Sequence, residues 1–101
     1  MPRPRKCRRV SCEPQVTYFK PAGVPLRELE ELEITIDELE AIRLVDSIKK
    51  DQIAASKNMG ISQPTLHRLL LSARKKIADA LANGYAIKIN GGNYYISKNK
   101  K

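Results

Sequence analysis

The stretch QIAASKNMGISQPTLHR, Gln52 to Arg68, decides the fold. It reads as two helices with almost nothing between them. Ala54, Ala55 and Ser56 are small enough to let a second helix approach closely. Gly60 stands where the chain leaves the first helix, in a conformation that a side chain would penalise. Ser62 can cap the second helix, whose opening turns carry Gln63, Pro64, Thr65, His67 and Arg68. This is how a helix-turn-helix is built, with the second helix able to enter a DNA major groove.

The pattern extends upstream. Thr35 is followed three residues later by Glu38, the spacing of a capping box. The helix it starts runs to about Ile48, with Leu39, Ile42, Val45 and Ile48 near one face and Asp37, Glu38, Glu40 and Arg43 outward. Asp51 can cap the next helix, which ends near Asn58. Downstream, Leu66, Leu70, Ala73, Ile77 and Leu81 form an inner stripe on a reader helix over about 63–81, and Asn83-Gly84 is its stop signal. The period then changes. YAIKI and NYYI flank Asn90-Gly91-Gly92, which reads as a β-hairpin over about 85–96.

Residues 1–25 read as a basic, Pro-rich arm in which prolines prevent helix, with Val16, Tyr18 and Phe19 extended along the domain. LRELEELE, residues 26–33, has helical propensity and suits a short turn or helix. The fold class is therefore mainly α: one helix-turn-helix domain over 26–101, preceded by the arm and closed by the hairpin.

A chain of 101 residues supports one modest core, and one Phe, four Tyr and no Trp make that core aliphatic. No apolar run approaches the ~20 residues that span a bilayer, and no apolar segment follows the basic N-terminus as in a secretory signal. A cytoplasmic address is expected. The net charge of +8 is unevenly spread. Residues 1–25 carry six Lys/Arg against one acid, residues 26–51 four against nine, and residues 52–101 nine against one. Two basic zones flanking an acidic one suit a phosphate-facing surface backed by one kept away from phosphates.

With Leu66 and Leu70 inward, Gln63, Pro64, His67, Arg68 and Leu71 point away from the core. Arg binds guanine at O6 and N7, and Gln binds adenine at N6 and N7, so Gln63, Pro64 and Arg68 are the candidate base contacts. Ser62, Thr65, His67 and Arg74 are the candidate backbone contacts, with Lys75 and Lys76 beside them. Arg3, Arg5, Lys6, Arg8 and Arg9 form an arm suited to a minor groove. Cys7 and Cys12 are weak metal candidates, because a structural zinc site wants four ligands in two close pairs. No cofactor is expected. No nucleophile elbow, phosphate loop or His–carboxylate pair appears, and no enzyme activity is expected. Duplex DNA is the leading partner, with a homodimer plausible. Two other readings are RNA binding through Tyr94-Tyr95 and contact with RNA polymerase or a regulator through the acidic helix.

The span ITIDELEAIRLVDSIKKDQIAASKNMGISQPTLHRLLLSARKKIADAL resembles the fourth region of bacterial sigma factors. The shared features are the Thr-x-x-Glu start, the Gln52–Ser56 helix, Gly-Ile-Ser, Thr65, Arg68 and Ala73-Arg74-x-Lys76. More narrowly, PRPRKCRRV, the Pro14–Gly23 segment, DELEAIRL, MGISQPT and INGGNY resemble a small prokaryotic family, domain-of-unknown-function family 134. The resemblance implies a helix-turn-helix and a transcription-regulatory role. One departure is Ser47-Ile48-Lys49-Lys50, where similar sequences place a Gly-containing link.

Overall fold

The computed structural model of the chain describes residues 8–11, 14, 16–92 and 94–96. Three helices form its body: α1 (Ile36–Ile42), α2 (Gln52–Met59) and α3 (Gln63–Asn83). Five short strands accompany them: β1 (Arg8–Val10), β2 (Tyr18–Phe19), β3 (Glu31–Ile34), β4 (Ala86–Ile89) and β5 (Tyr94–Ile96). The chain is mainly α, with two small sheets.

Each helix begins at a side-chain cap, and a cap is worth about 1 kcal/mol. Thr35 Oγ1 accepts from the Glu38 N–H at 3.3 Å while Glu38 Oε1 accepts from the Thr35 N–H at 2.9 Å. Asp51 Oδ1 accepts from the Ala54 N–H, and Ser62 Oγ from the Thr65 N–H. The ends are equally defined. Gly60 is left-handed at φ 68°, and the Ile61 N–H bonds the Ser56 carbonyl across it, the pattern that satisfies the last carbonyls of a helix. α1 widens into a π-helical turn over Arg43–Ser47 and then breaks. The break lies at Lys49, φ 67°, the one non-glycine residue with positive φ among those described. A lysine thus stands in a left-handed conformation, which costs a non-glycine residue about 1–2 kcal/mol.

Two clusters make the core. Ala41, Leu44, Ala55, Met59, Leu66 and Leu70 join α1, α2 and the first half of α3. Val10, Ile34, Ile36 and Ile89 join the strands to the start of α1, with Ile77 packed against them. Leu66 and Leu70 are fully buried. The inner stripe of α3 ends at Ala80 rather than Leu81, which is 79% exposed. Inward positions 66, 70, 73, 77 and 80 step 4, 3, 4, 3, and a further step of four from Ile77 drifts off the face. Ile48 likewise lies outside, beyond the π-helical turn.

Three further expectations are corrected. First, Asp37, Glu38 and Glu40 are buried, not outward. β1 and α3 both pack on α1, covering faces that a lone amphipathic helix gives to water. Second, among the described residues β4 and β5 do not pair as a C-terminal hairpin. β4 is the centre of the sheet β2-β4-β3, antiparallel to β2 and parallel to β3, with Leu32 opposite Ile87 and Ile34 opposite Ile89. β5 instead pairs in parallel with β1, Arg8 opposite Tyr94. Asn90–Gly92 is a corner pressed on the start of α1: the Asn90 N–H bonds the Ile34 carbonyl, and the Ile36 N–H bonds the Gly91 carbonyl. A Cβ on Gly92 (φ 99°) would stand 2.5 Å from Asp37 Oδ1 and 2.8 Å from Thr35 Cβ. Third, the domain begins earlier than residue 26. Val10 is 1% exposed in the core, and β1 and β2 pair with β5 and β4. Residues 26–33 give a 3-10 turn over Leu26–Glu28 and then β3, because β4 offers that segment a hydrogen-bonding partner. Among the described residues no helix is long and apolar enough to cross a membrane.

Candidate nucleic-acid interface

The site is built where α2 and α3 begin. Burial of Leu66 and Leu70 fixes the rotation of α3, so the residues between and before them face out: Ser62, Gln63, Pro64, His67 and Arg68 are all exposed, and Thr65 is half-buried. The hydroxyls of Ser62 and Thr65 are joined at 2.9 Å, and Arg68 reaches back one turn to Thr65 Oγ1 at 3.4 Å. The first turns of α2 and α3 border a shallow groove of about 680 Å³ lined by Asp51, Gln52, Ile53, Gln63, Pro64 and His67. The first-turn N–H groups of both helices and their dipoles give this end a partial positive character. The base-contact candidates Gln63, Pro64 and Arg68 are thus brought onto one surface, with Ser62, Thr65 and His67 beside them.

Farther along α3 the cations are committed to carboxylates. Arg74 makes a bidentate pair with Asp46, Nη2 to Oδ1 at 2.7 Å and Nε to Oδ2 at 3.0 Å. The Arg74 hydrogen bond holds the Asp46 carboxyl below its ordinary value. Lys75 pairs with Asp79 at 2.8 Å, one turn on, and Lys76 with Glu38 at 2.8 Å. Arg74 shares the helix face of His67, seven residues earlier, so it lies on the candidate surface but carries a counter-charge.

The carboxylates of α1 bind the fold together. Glu38 accepts from Lys76 and Ser72 of α3 and from the Thr35 N–H. Burial by itself raises the Glu38 carboxyl, but these hydrogen bonds, Lys76 foremost, outweigh it and hold the group below its ordinary value. Glu40 receives Arg43 at 2.9 Å through two nitrogens and the Ser11 N–H at 3.1 Å. Asp37 faces Arg8 at 3.6 Å. Of the arm cations, then, Arg8 is held at Asp37, and Arg9 Nη2 lies 3.9 Å from where a Cβ of Gly60 would stand. Arg3, Arg5, Lys6, Cys7 and Cys12 fall outside the described residues.

Sequence reasoning missed Ile53, Asp46 and the inward turn of Asp37, Glu38 and Glu40. Ile53 was legible in principle: Ala55 and Met59 set the inner face of α2, and position 53 lies nearly opposite Ala55 on a 3.6-residue helix. The burial of the α1 carboxylates had no local signal, because beside the neighbours Thr35 and Arg43 their partners Arg8, Ser11, Ser72 and Lys76 lie 29 to 38 residues away in sequence.

No solved structure matches the chain. Among curated proteins it is similar to a UPF0251 protein of Moorella thermoacetica, 57% identical over 95% of this chain and 64% of that one. It is also similar to the UPF0251 protein TTE1845 of Caldanaerobacter subterraneus subsp. tengcongensis, 55% identical over 95% of this chain and 81% of the relative, and to Teth39_0655 of Thermoanaerobacter pseudethanolicus, 53% identical over the same shares. The chain thus spans a little under two thirds of the Moorella relative. The family model for the protein of unknown function DUF134 matches residues 1–97, and the chain belongs to that family.

Proposed function

We propose that the chain is a sequence-specific duplex DNA-binding protein, a transcription regulator reading through a helix-turn-helix made of α2, the turn at Gly60 and α3. The observation that carries this reading is the first half of α3. One side is anchored by fully buried Leu66 and Leu70, while Gln63, Pro64, His67 and Arg68 stand exposed on the other. Arg68 and Gln63 meet base edges; Ser62, Thr65 and His67 meet phosphates. Arg74 joins them when a phosphate displaces Asp46. Resemblance to the fourth region of sigma factors supports the same assignment. The polymerase- or regulator-contact alternative finds less support, since Asp37, Glu38 and Glu40 are withdrawn from the surface. The RNA alternative loses its stacking pair in part, with Tyr94 packed on the second core cluster.

Selection of bound fragments from random duplex DNA is the direct test, followed by affinity measurement on the enriched site. A defined motif is expected, two-fold symmetric if the chain pairs, with half-site centres ~34–36 Å apart. Affinity falls with salt by about 0.9 in log K per log unit for each phosphate neutralised. Arg68→Ala removes roughly 1–3 kcal/mol of base discrimination. Recovery of no motif, or an Arg68→Ala variant as selective as wild type, overturns the reading.

A further inference from the structure

The groove between the first turns of α2 and α3 contains an apolar spot that base reading by Gln63 and Arg68 leaves unused. Ile53 is 56% exposed there, and Ile53 and Pro64 supply its apolar walls, while Gln52, Gln63 and His67 supply a polar rim. Asp51 also lines it, with its carboxylate turned to the Ala54 N–H at 2.8 Å.

These features define the occupant. Apolar walls offer nothing to a phosphate in the middle of the groove. Amide and imidazole groups at the rim call for hydrogen-bonding edges beside an alkyl group. Arg68, exposed on α3 one residue beyond His67, and the chain's net charge of +8 suit a partner that is an anion overall. The four bases expose one alkyl group in the major groove, the C5-methyl of thymine. We infer that Ile53 and Pro64 form a thymine-methyl pocket, so that α2 contributes a base-specificity residue and does more than brace α3. This inference rests on the duplex DNA reading above.

The test uses the full chain and the duplex enriched by selection, with each thymine replaced singly by deoxyuridine. That change removes the methyl group and keeps Watson–Crick pairing. At one or two positions wild type loses about fourfold in affinity, the value of one buried methyl group. Ile53→Ala binds the thymine and uracil duplexes alike, at the affinity wild type shows for the uracil duplex, which also demonstrates that the variant is folded. Ile53→Leu keeps the thymine preference. Indifference of wild type to every replacement, or a preference that survives in Ile53→Ala, overturns the inference while leaving duplex reading intact. A chain that binds no duplex overturns both.

Discussion

α1 and the first half of α3 begin in the same way, at a capping hydroxyl followed by polar residues, and end with opposite roles. On α1 the charged residues turn inward: Asp37, Glu38 and Glu40 are each at most 5% exposed, and each meets a cation, Arg8, Lys76 and Arg43 respectively. On α3, Gln63, His67 and Arg68 turn outward, and Arg68 reaches only as far as Thr65 on its own helix among the contacts described. The difference teaches that polarity alone does not mark a binding face. Burial with partners makes a charge structural, because an ion left alone in the interior is heavily penalised. Exposure on a rigid helix leaves a polar group available to a ligand.

The contrast breaks most visibly at Glu38. Glu38→Ala strands Lys76 and Ser72 and removes half of the capping box, and the expected loss is about 2–4 kcal/mol, read as a lower denaturant midpoint. A variant as stable as wild type would show that the carboxylate is not structural. The same group gives the fold an acid limit. Its carboxyl lies below the ordinary value of 4.5 in the folded chain. Its contribution is therefore fully present above that value and is lost as pH falls through the lower folded one. Glu38→Gln flattens this part of the stability–pH curve.

Gly92→Ala probes how the Asn90–Gly92 corner holds α1. The added methyl group meets Asp37 and Thr35 in a backbone that disfavours any side chain, and about 2 kcal/mol of stability is lost. The measurement is thermal unfolding, and an unchanged midpoint would mean that the corner does not rest on α1.

Lys49→Gly acts in the reverse direction. It relieves a left-handed lysine at some cost in unfolded-chain entropy, for a net gain of about 0.5–1 kcal/mol. Destabilisation here would mean that the Lys49 side chain makes a stabilising contact outweighing its backbone strain.

The smallest effect on stability sharpens the boundary between the two regions. The Arg74–Asp46 pair is exposed on both sides, so Asp46→Asn shifts stability by less than about 0.5 kcal/mol. It leaves Arg74 open to phosphate without a pair to break first, however, and duplex binding at fixed salt tightens. Weaker binding by Asp46→Asn would instead assign Asp46 the job of aiming Arg74.

What the sequence determined by itself is the local chemistry. Thr35, Asp51 and Ser62 cap the helices they were expected to cap, and Gly60 takes the left-handed turn, because caps and turns involve neighbours three or four residues apart. The outward set on α3 was legible for the same reason, since Leu66 and Leu70 fix the face. Only the tertiary structure decided the rest. Asn90-Gly91-Gly92 has the composition of a hairpin turn, but β4 and β5 find their partners in β3, β2 and β1, across up to 86 residues of chain. Asp37, Glu38 and Glu40 have the composition of a solvated face, but Arg8, Ser11, Ser72 and Lys76 arrive from distant segments to bury them. Strand pairing and ion pairing are set by which segments meet, and a local pattern carries no record of that meeting.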